Sequence, residues 1–277
     1  MYFMRYPNGL AKAVTISYDD GVEQDIQLLG LMEKYGIKGT FNLNAGLFAA
    51  EGTVFPKGRV HRRLTLSRAK ELYKSEMCEV AGHGFTHPFL EKMSVDAALW
   101  EVSHDRYSLE QVFGRQVHGF AYPFGTYNDG VVDALKTSGY KYARTTVSTH
   151  KFDVPTDWLR MPATCHHNDE MLFELTEKFL NTKPDTAPYF FYVWGHSYEF
   201  EGNDNWERIE KFFSEVGGRD DVWYATNTEL YDYINAYNRL EYSCDCTRVY
   251  NPSAVDVYFG HGDKIFCVPA GKEISDF

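Results

Sequence analysis

Residues 13–21 read Ala-Val-Thr-Ile-Ser-Tyr-Asp-Asp-Gly, an apolar, β-branched run that leads directly into two carboxylates and a glycine. Val, Ile, Thr and Tyr favour a pleated strand, whereas Asp and Gly favour the turn that ends it. Read alone, Asp-Asp-Gly is most simply a turn or a helix cap. The same succession of apolar run and polar residues recurs along roughly the first 240 residues, so this stretch sets the pattern for the fold.

Short β-prone runs predict seven strands, and amphipathic stretches between most of them predict helices. The predicted strands cover residues 13–17, 38–43, 78–81, 118–122, 140–144, 189–194 and 221–225. The predicted helices cover residues 23–35, 68–76, 95–113, 204–216 and 230–239, with Ser67, Ser94 and Thr226 as caps. Strands that alternate with helices indicate an α/β fold of parallel units, and seven units are close to the number in a (β/α) barrel.

The last part of the chain has a different character. Residues 242–277 contain short apolar runs broken by Asn251-Pro252-Ser253 and by Gly260-His261-Gly262, which predicts a few antiparallel strands. We therefore predict two parts: a (β/α) barrel over residues 1–240, and a C-terminal β appendage over residues 241–277 that packs on the barrel.

The composition argues against two classes of partner. The 277 residues carry 28 Lys and Arg against 39 Asp and Glu, a net charge of −11, which disfavours binding to a nucleic-acid backbone. No apolar run approaches the roughly 20 residues of a membrane span, so we expect neither nucleic acid nor a membrane as a partner. Aromatic residues make up 16% of the chain and suggest a flat, neutral ligand, with a sugar as the first candidate.

The cysteines and the N terminus bear on the cellular compartment. Five cysteines, an odd and sparse set, fit a reducing compartment better than a disulfide scaffold. Residues 1–10 lack the apolar core of a secretory signal, so we expect a cytoplasmic protein. A leader removed from a longer precursor would leave the same sequence.

Residues with chemically useful side chains follow four of the predicted strands. They are Asp19 and Asp20 after the first strand, His83 and His87 after the third, Pro123-Phe124-Gly125 after the fourth, and His196 after the sixth. In a parallel barrel the carboxyl ends of all strands lie on one face, so we expect these residues to converge. Two carboxylates and a His-x-x-x-His pair supply oxygen and nitrogen ligands that suit a divalent transition metal.

A metal held by three protein ligands keeps a position for water and lowers the pKa of that water to about 7. A further carboxylate could then act as base, and a separate histidine as acid. Each signal alone has a simpler interpretation, since a histidine pair is often a surface coincidence and a single histidine is often a core residue. Their convergence at strand ends favours the metal site.

Four segments together resemble the ordered motifs of the polysaccharide deacetylases, the NodB-homology group of carbohydrate esterase family 4. These segments are Thr15–Gly21, Gly82–Pro88, Ala121–Gly125 and Trp194–His196, and the resemblance extends over about residues 12–235. It implies a distorted (β/α)7 barrel and metal-dependent hydrolysis of acetyl groups on sugars, N-acetyl groups before O-acetyl groups. The implied partner is an acetylated oligo- or polysaccharide.

The resemblance also implies a role for each matching residue. It makes Asp19 the catalytic base and His196 the general acid. It makes Asp20, His83 and His87 the ligands of one divalent metal ion, zinc first, with cobalt, nickel and manganese as alternatives.

The resemblance implies a set of substrate-binding residues as well. The set is Tyr122, Pro123, Phe124, Gly125, Asp157, Trp158 and Trp194. Within it, the backbone N–H of Phe124 falls where the family places an oxyanion donor. Asp157 and Trp158 resemble the segment that orients the acid histidine and walls the acetyl pocket.

This sequence departs from the family pattern at two positions. Gly84 stands where many members carry Ser or Thr, so one supporting hydrogen bond is missing. Ala121 stands where many members carry an arginine that pairs with the base, and we predict that Arg160 replaces this arginine from a neighbouring loop. We also interpret Cys165-His166-His167 as loop, and residues 49–63 as a long loop over the barrel mouth that either shapes substrate choice or is merely solvated.

Two other functions fit parts of the pattern. The same barrel and metal site could hydrolyse a small non-sugar amide or a ureide. A degenerate barrel could instead bind carbohydrate without catalysis, although the intact set of aspartates and histidines argues against this. The sequence leaves open which saccharide is bound and how many copies of the chain assemble.

Overall fold

The computed structural model describes residues 2–275 and residue 277. Its strands are β1 (Tyr2–Arg5), β2 (Lys12–Asp19), β3 (Gly39–Leu43), β4 (Cys78–Gly82), β5 (Gly119–Ala121), β6 (Tyr142–Ser148), β7 (Met161–Ala163), β8 (Cys165–His166), β9 (Tyr189–Gly195), β10 (Trp223–Tyr224), β11 (Glu241–Tyr242), β12 (Arg248–Tyr250), β13 (Val257–His261), β14 (Lys264–Val268) and β15 (Glu273–Ser275). Its helices are α1 (Asp25–Tyr35), α2 (Leu66–Leu72), α3 (Val95–Phe113), α4 (Asp129–Thr137), α5 (Leu172–Asn181), α6 (Tyr198–Gly202), α7 (Trp206–Val216) and α8 (Asn227–Asn238).

The main sheet is parallel throughout, and its two ends meet. Its strands lie in the order β7-β6-β5-β4-β3-β2-β9-β8, and β10 pairs with the first half of β2. The end strands β7 and β8 are consecutive in the chain and are separated only by Thr164. The N–H of Thr164 donates to Tyr192 on one side, and its carbonyl accepts from His150 on the other. One continuous segment therefore covers both ends of a strongly curved sheet, and the predicted α/β fold is confirmed.

The interpretation of Cys165-His166-His167 as loop was wrong for its first two residues, and the strand at Met161–Ala163 had not been predicted. Met161–Ala163 pairs with β6 and Cys165–His166 pairs with β9. These strands are only two or three residues long, too short for their side chains to show an alternating pattern. They depend on the neighbouring strands for their hydrogen bonds.

Each of the predicted strands in the barrel region is present, with ends shifted by a few residues. Helices α4, α5 and α6 had not been predicted. The cap of α2 is Thr65, whose hydroxyl accepts from the N–H of Arg68, whereas the predicted cap Ser67 bonds to Glu51. Thr65 and Ser67 are both good caps, and local sequence does not decide between them.

The helices cover the outside of the sheet through narrow apolar faces. Helix α7 buries Ile209, Phe212, Phe213 and Val216, the i, i+3, i+4 and i+7 positions of one face. Strand β2 is buried along its whole length, as expected for a strand with neighbours on both edges and packing on both faces.

The inside of the sheet carries a polar ladder that leads to the site. In the middle of β2, the hydroxyl of Thr15 donates to the side-chain carbonyl of Asn227. Further along the strand, the side-chain amide of Asn42 donates to Ser17 over 2.7 Å and to Asp19 over 2.8 Å. These bonds satisfy buried polar groups and fix the orientation of the Asp19 carboxylate.

The C-terminal region forms two small antiparallel sheets among the described residues, in the orders β1-β13-β14 and β11-β12-β15. The N-terminal strand β1 pairs with β13 and so belongs to the first of them. The hydroxyl of Tyr233 on α8 donates to the carbonyl of Arg5 and accepts from the N–H of Tyr258, which ties this sheet to the barrel. The division at residue 240 stays a prediction. Among the described helices, none combines the length and the apolar character that crossing a membrane requires.

Candidate active site

The carboxyl ends of the parallel strands surround a cavity of about 340 Å³. Its lining residues are Asp19, Asp20, His83, His87, Tyr122, Phe124, Gly125, Thr146, Trp194, His196 and Tyr198. Pro123 lies buried between Tyr122 and Phe124. Most of the residues singled out from the sequence are thus brought together. Asp157, Trp158 and Arg160 are not among the lining residues.

Asp20, His83 and His87 offer one ligand atom each within 4.8 Å of one another. The Nδ1–H of His83 donates to the carbonyl of Ala121 over 2.7 Å, which leaves Nε2 free for a metal. Burial lowers the pKa of His83 to about 4 and also lowers that of His87. Neutral imidazole is the form that binds a metal, so these three residues fit a divalent ion.

Helix α3 holds the segment that carries both histidines. The Asp105 carboxylate accepts the N–H of His83 over 2.9 Å, and the Glu101 carboxylate accepts both the N–H and the hydroxyl of Thr86. Burial raises the pKa of Asp105 to about 7, against the effect of its backbone hydrogen bonds. Gly84 lacks the side-chain hydroxyl that many family members have at this position. The carboxylates of Asp105 and Glu101 instead hold this segment through hydrogen bonds to His83 and Thr86.

The Asp20 carboxylate is held from the 49–63 loop. Arg63 donates to its Oδ1 over 2.9 Å, and the Nε2–H of His61 donates to its Oδ2 over 3.2 Å. Burial would raise the pKa of Asp20, but the bond from His61 and the charge of Arg63 outweigh it and keep the pKa below its usual range. Arg63 also donates to Asn44, whose amide in turn donates to the carbonyls of residues 83 and 84. The C-terminal end of the loop, at His61 and Arg63, therefore contacts the site, whereas most of residues 50–59 are exposed to solvent.

Asp19 lies between the candidate metal ligands and His196. Its Oδ2 is 3.8 Å from Nε2 of His83 and 3.8 Å from Nε2 of His196. The guanidinium of Arg144 donates to the same oxygen. Burial alone would raise the pKa of Asp19, but Arg144, with smaller contributions from the two histidines, lowers it below its ordinary value. The carboxylate is therefore ionised at neutral pH.

His196 is oriented by a carboxylate three residues further along the chain. Its Nδ1–H donates to Glu199 over 2.7 Å, and the other oxygen of Glu199 accepts from His167 and from Asn168. Desolvation would lower the pKa of His196, but the bond to Glu199 and the charge of Asp19 raise it above its ordinary value. The side chain is thus suited to carry a proton on Nε2, which faces Asp19.

The sequence matches the polysaccharide deacetylase family over residues 6–143, about half of the chain. A curated relative, the putative polysaccharide deacetylase YxkH of Bacillus subtilis (strain 168), is 24% identical over 143 residues, which cover 49% of this chain and 45% of the relative. The chain belongs to the polysaccharide deacetylase family. The match spans only about half the length of the curated relative.

Two solved structures share the fold. A putative polysaccharide deacetylase from Mycobacterium smegmatis is 18% identical with a TM-score of 0.59, and the match covers 85% of this chain and 94% of that one. The Xyl-CE4 domain of a multidomain xylanase from the hindgut metagenome of Trinervitermes trinervoides is also 18% identical, with a TM-score of 0.56 over 84% of this chain and 95% of that domain. At this identity the likeness concerns the fold alone.

The structure of this deacetylase-family chain corrects the prediction for Arg160. Arg160 is bonded to Asp157 over 2.8 Å and to Asp129 over 2.7 Å at the surface, and the arginine on Asp19 is Arg144. In the register of β5 and β6, Arg144 pairs directly with Ala121. The charge missing at position 121 is therefore supplied by the adjacent position on the next strand. An arginine at the end of the apolar run 140–144 was the available signal.

The prediction for Asp157 and Trp158 also needs correction. Asp157 accepts the N–H of Leu159 as a local cap, and the Trp158 ring packs against Tyr231 on α8. The carboxylate that orients His196 is Glu199. Its position three residues after the histidine, at the start of a short helix, was a signal that sequence reasoning missed.

A second group of potential metal ligands, His166, His196 and Glu199, is better explained as a hydrogen-bond network. The Nδ1 of His166 accepts the N–H of Asn168, so the proton of the neutral ring is on Nε2, the atom nearest Glu199. Burial lowers the pKa of His166 to about 4, which keeps the ring neutral. A nitrogen that carries this proton has no lone pair for a metal.

Proposed function

We propose that this protein is a metal-dependent deacetylase that hydrolyses the N-acetyl groups of an acetylated oligo- or polysaccharide. The observation that carries the proposal is the position of Asp19. Its Oδ2 lies 3.8 Å from a candidate metal ligand, His83, and 3.8 Å from a candidate acid, His196. A base placed between a Lewis-acid site and a proton donor is the arrangement that hydrolysis of an amide needs.

Asp20, His83 and His87 would hold the metal. One carboxylate and two neutral imidazoles suit zinc, and they also suit cobalt, nickel and manganese. When bound, the ion supplies Lewis-acid polarisation of the acetyl carbonyl and lowers the pKa of a water molecule.

Asp19 would accept the proton of the attacking water. Arg144 keeps its pKa low and Asn42 fixes one of its oxygens, so the carboxylate is ionised and cannot rotate freely. A base with a pKa this low accepts a proton efficiently only from water that is itself acidified, which makes the base and the metal depend on each other.

His196 would donate the proton that the leaving amine needs. Glu199 holds its Nδ1–H, so the ring presents Nε2 to the cavity. The backbone N–H of Phe124, at the cavity wall, would be the donor to the developing oxyanion. After one turnover the proton taken up at Asp19 balances the proton lost from His196.

The test is acetate release from N-acetylated chito-oligosaccharides and acetylated xylo-oligosaccharides, with and without chelator. We expect acetate that disappears with chelator and returns with zinc. Saturable sugar binding without acetate would instead favour a carbohydrate-binding protein. Hydrolysis of small amides or ureides, with none of the saccharides cleaved, would favour the non-sugar hydrolase.

A further inference from the structure

His167 is a buried neighbour of Glu199 that the function proposed above does not use. Its side chain is fully enclosed, and it is not one of the residues that line the cavity. The ring packs against Tyr18, at 5.6 Å between centroids, and against Phe200, at 4.2 Å. Buried polar groups nearly always find partners, so the identity of the partners decides whether this histidine is more than a core residue.

The hydrogen bonds of His167 determine which ring nitrogen carries the proton. Nε2 is 3.1 Å from Oε2 of Glu199, and Nδ1 is 3.2 Å from the hydroxyl of Tyr18. Burial lowers the pKa of His167, against the effect of its bond to Glu199, so the ring is neutral and carries one proton. An ionised carboxylate can only accept, which places that proton on Nε2. Burial also raises the pKa of the Tyr18 hydroxyl, which therefore stays protonated and donates to Nδ1.

The carboxylate of Glu199 is shared between two histidines. Its Oε1 accepts the Nδ1–H of His196, whereas its Oε2 accepts from His167 and, over 2.7 Å, from the side-chain amide of Asn168. Burial would raise the pKa of Glu199, but the bonds from the two histidines lower it below its ordinary value, so the carboxylate is ionised. Two donors on Oε2 restrict rotation of the carboxylate and keep Oε1 directed at His196.

The backbone beside the acid leaves room for the His167 ring. A Cβ at Gly195 would clash with this ring, although the backbone of Gly195 lies in strand β9 and does not have a positive φ. The glycine next to His196 is thus explained by the space that His167 occupies. The backbone of His167 is held as well, since its N–H donates to the carbonyl of Trp194 over 2.8 Å and its carbonyl accepts from Arg208 over 2.8 Å.

We propose that His167 is a positioning residue that holds Glu199 in place for the acid, His196. Tyr18 fixes the tautomer of His167 that this role requires. The proposal rests on the proposed function, in which His196 is the acid. Because Tyr18 directly precedes the base Asp19 on strand β2, one chain of hydrogen bonds connects the strand that carries the base to the acid.

The kinetic test uses two amide variants of His167. In His167→Gln the amide nitrogen can take the place of Nε2 and donate to Glu199, whereas in His167→Asn the shorter side chain reaches only the place of Nδ1. On N-acetylated chitotetraose, with zinc supplied, we expect His167→Asn to lower kcat by about 10- to 100-fold, the range of one hydrogen bond to a charged group. KM should change little, because His167 does not line the cavity. His167→Gln should stay within about threefold of the wild-type kcat.

A double-mutant cycle tests whether His167 acts through Glu199. In the Glu199→Gln background, His167→Asn should lower kcat by less than about a further twofold, since the interaction has already been removed. Equal losses in both backgrounds would indicate a structural role alone and overturn the proposal. A loss in His167→Gln as large as that in His167→Asn would overturn it too.

His150→Asn is the matched control for His167→Asn. His150 also bonds to a carboxylate, that of Asp169 over 2.7 Å, but it does not line the cavity and should keep the wild-type kcat. If His167→Asn does not fold, Tyr18→Phe takes its place in the cycle. We expect Tyr18→Phe to lower kcat by about two- to tenfold in the wild type and to have no further effect in Glu199→Gln. Equal losses in the two backgrounds would again overturn the proposal.

Nitrogen NMR of the histidine rings needs no substrate and separates this proposal from the proposed function. In the wild type we expect neutral His167 to be protonated on Nε2 and neutral His196 on Nδ1, and we expect His167→Asn to give His196 a mixture of tautomers. Protonation of His167 on Nδ1 in the wild type, or an unchanged His196 in His167→Asn, would overturn the proposal. If the spectra are as expected but the wild type releases no acetate, the positioning of His196 stands and the deacetylase proposal fails.

Discussion

The histidines on the two sides of the cavity have pKa values that are shifted in opposite directions. On one side, burial lowers the pKa values of His83 and His87, and the second nitrogen of His83 is bonded to a neutral carbonyl. On the other side, the second nitrogen of His196 is bonded to the carboxylate of Glu199, and its pKa is raised. The group bonded to Nδ1 thus distinguishes the two kinds of histidine. His83, bonded to a carbonyl, is suited to bind a metal, whereas His196, bonded to a carboxylate, is suited to donate a proton.

Asp19 lies close to histidines on both sides of the cavity, and its substitution should have the largest effect on turnover. We expect Asp19→Asn to lower turnover by about 10²–10⁴-fold, because an amide cannot accept the proton of water. Metal content should stay at one equivalent, since Asp19 is not one of the candidate ligands. Rates of acetate release and metal analysis on the same samples check both statements.

The matched variant on the metal side is His83→Ala, which should lose activity and metal together. Near wild-type turnover for Asp19→Asn would remove Asp19 as the base. Loss of the metal from Asp19→Asn would mean that metal binding also depends on Asp19.

Arg144 keeps Asp19 charged, and the comparison with Arg160 tests the corrected assignment. Arg144→Gln leaves a buried carboxylate unpaired, so we expect the free energy of unfolding to fall by about 3–5 kcal/mol. The pKa of Asp19 should rise, and activity should fall at neutral pH and partly recover at higher pH. Denaturant unfolding and pH–rate profiles measure these effects.

Arg160→Gln is the control for Arg144→Gln, because Arg160 pairs with two surface carboxylates, those of Asp129 and Asp157. We expect stability and rate to stay at wild-type values. A loss of activity in Arg160→Gln comparable to that in Arg144→Gln would restore the original prediction.

The metal side depends on helix α3 through Asp105. Asp105→Ala leaves the buried N–H of His83 and the partly buried N–H of Ala45 without their acceptor, so we expect a loss of about 2–5 kcal/mol in the free energy of unfolding. Metal affinity should fall by about 10–100-fold, the usual cost of removing a partner that orients a ligand. Zinc titration against a competing chelator measures the affinity. Asp133→Ala, on the exposed face of α4, should change neither quantity.

Substitutions around His196 should change the pH dependence of the rate rather than the affinity for metal. The acid form of His196 is lost as the pH rises through its pKa, and Glu199 moves that pKa upward. In Glu199→Gln the pKa should fall, so the decline in kcat on the alkaline side should begin at a lower pH, while metal affinity is unchanged. Above that pH the rate should fall about tenfold per pH unit. An alkaline limb identical to the wild type, or one equally shifted in the exposed control Glu207→Gln, would contradict this assignment.

Much of the fold and of the cavity could be predicted from local sequence. Asp19 ends β2, and Asp20, His83 and His196 follow their strands directly, with His87 in the turn after β4. Parallel strands end on one face whatever their exact register. The short segments β7 and β8 could not be predicted, because two or three residues contain no periodicity and their strand geometry is imposed by β6 and β9.

The sequence by itself determined which residues are candidates for the chemistry, since the candidate metal ligands, base and acid lie at or shortly after the ends of strands by their position in the chain. The tertiary structure decided which groups surround each of these side chains, and so its pKa and orientation. Arg144 reaches Asp19 only because β5 and β6 pair in a register that sets it beside Ala121. Asp105 reaches the N–H of His83 only because α3 packs against β4. Contacts across strands and between helix and strand depend on register and packing, which neighbouring residues in the sequence do not encode.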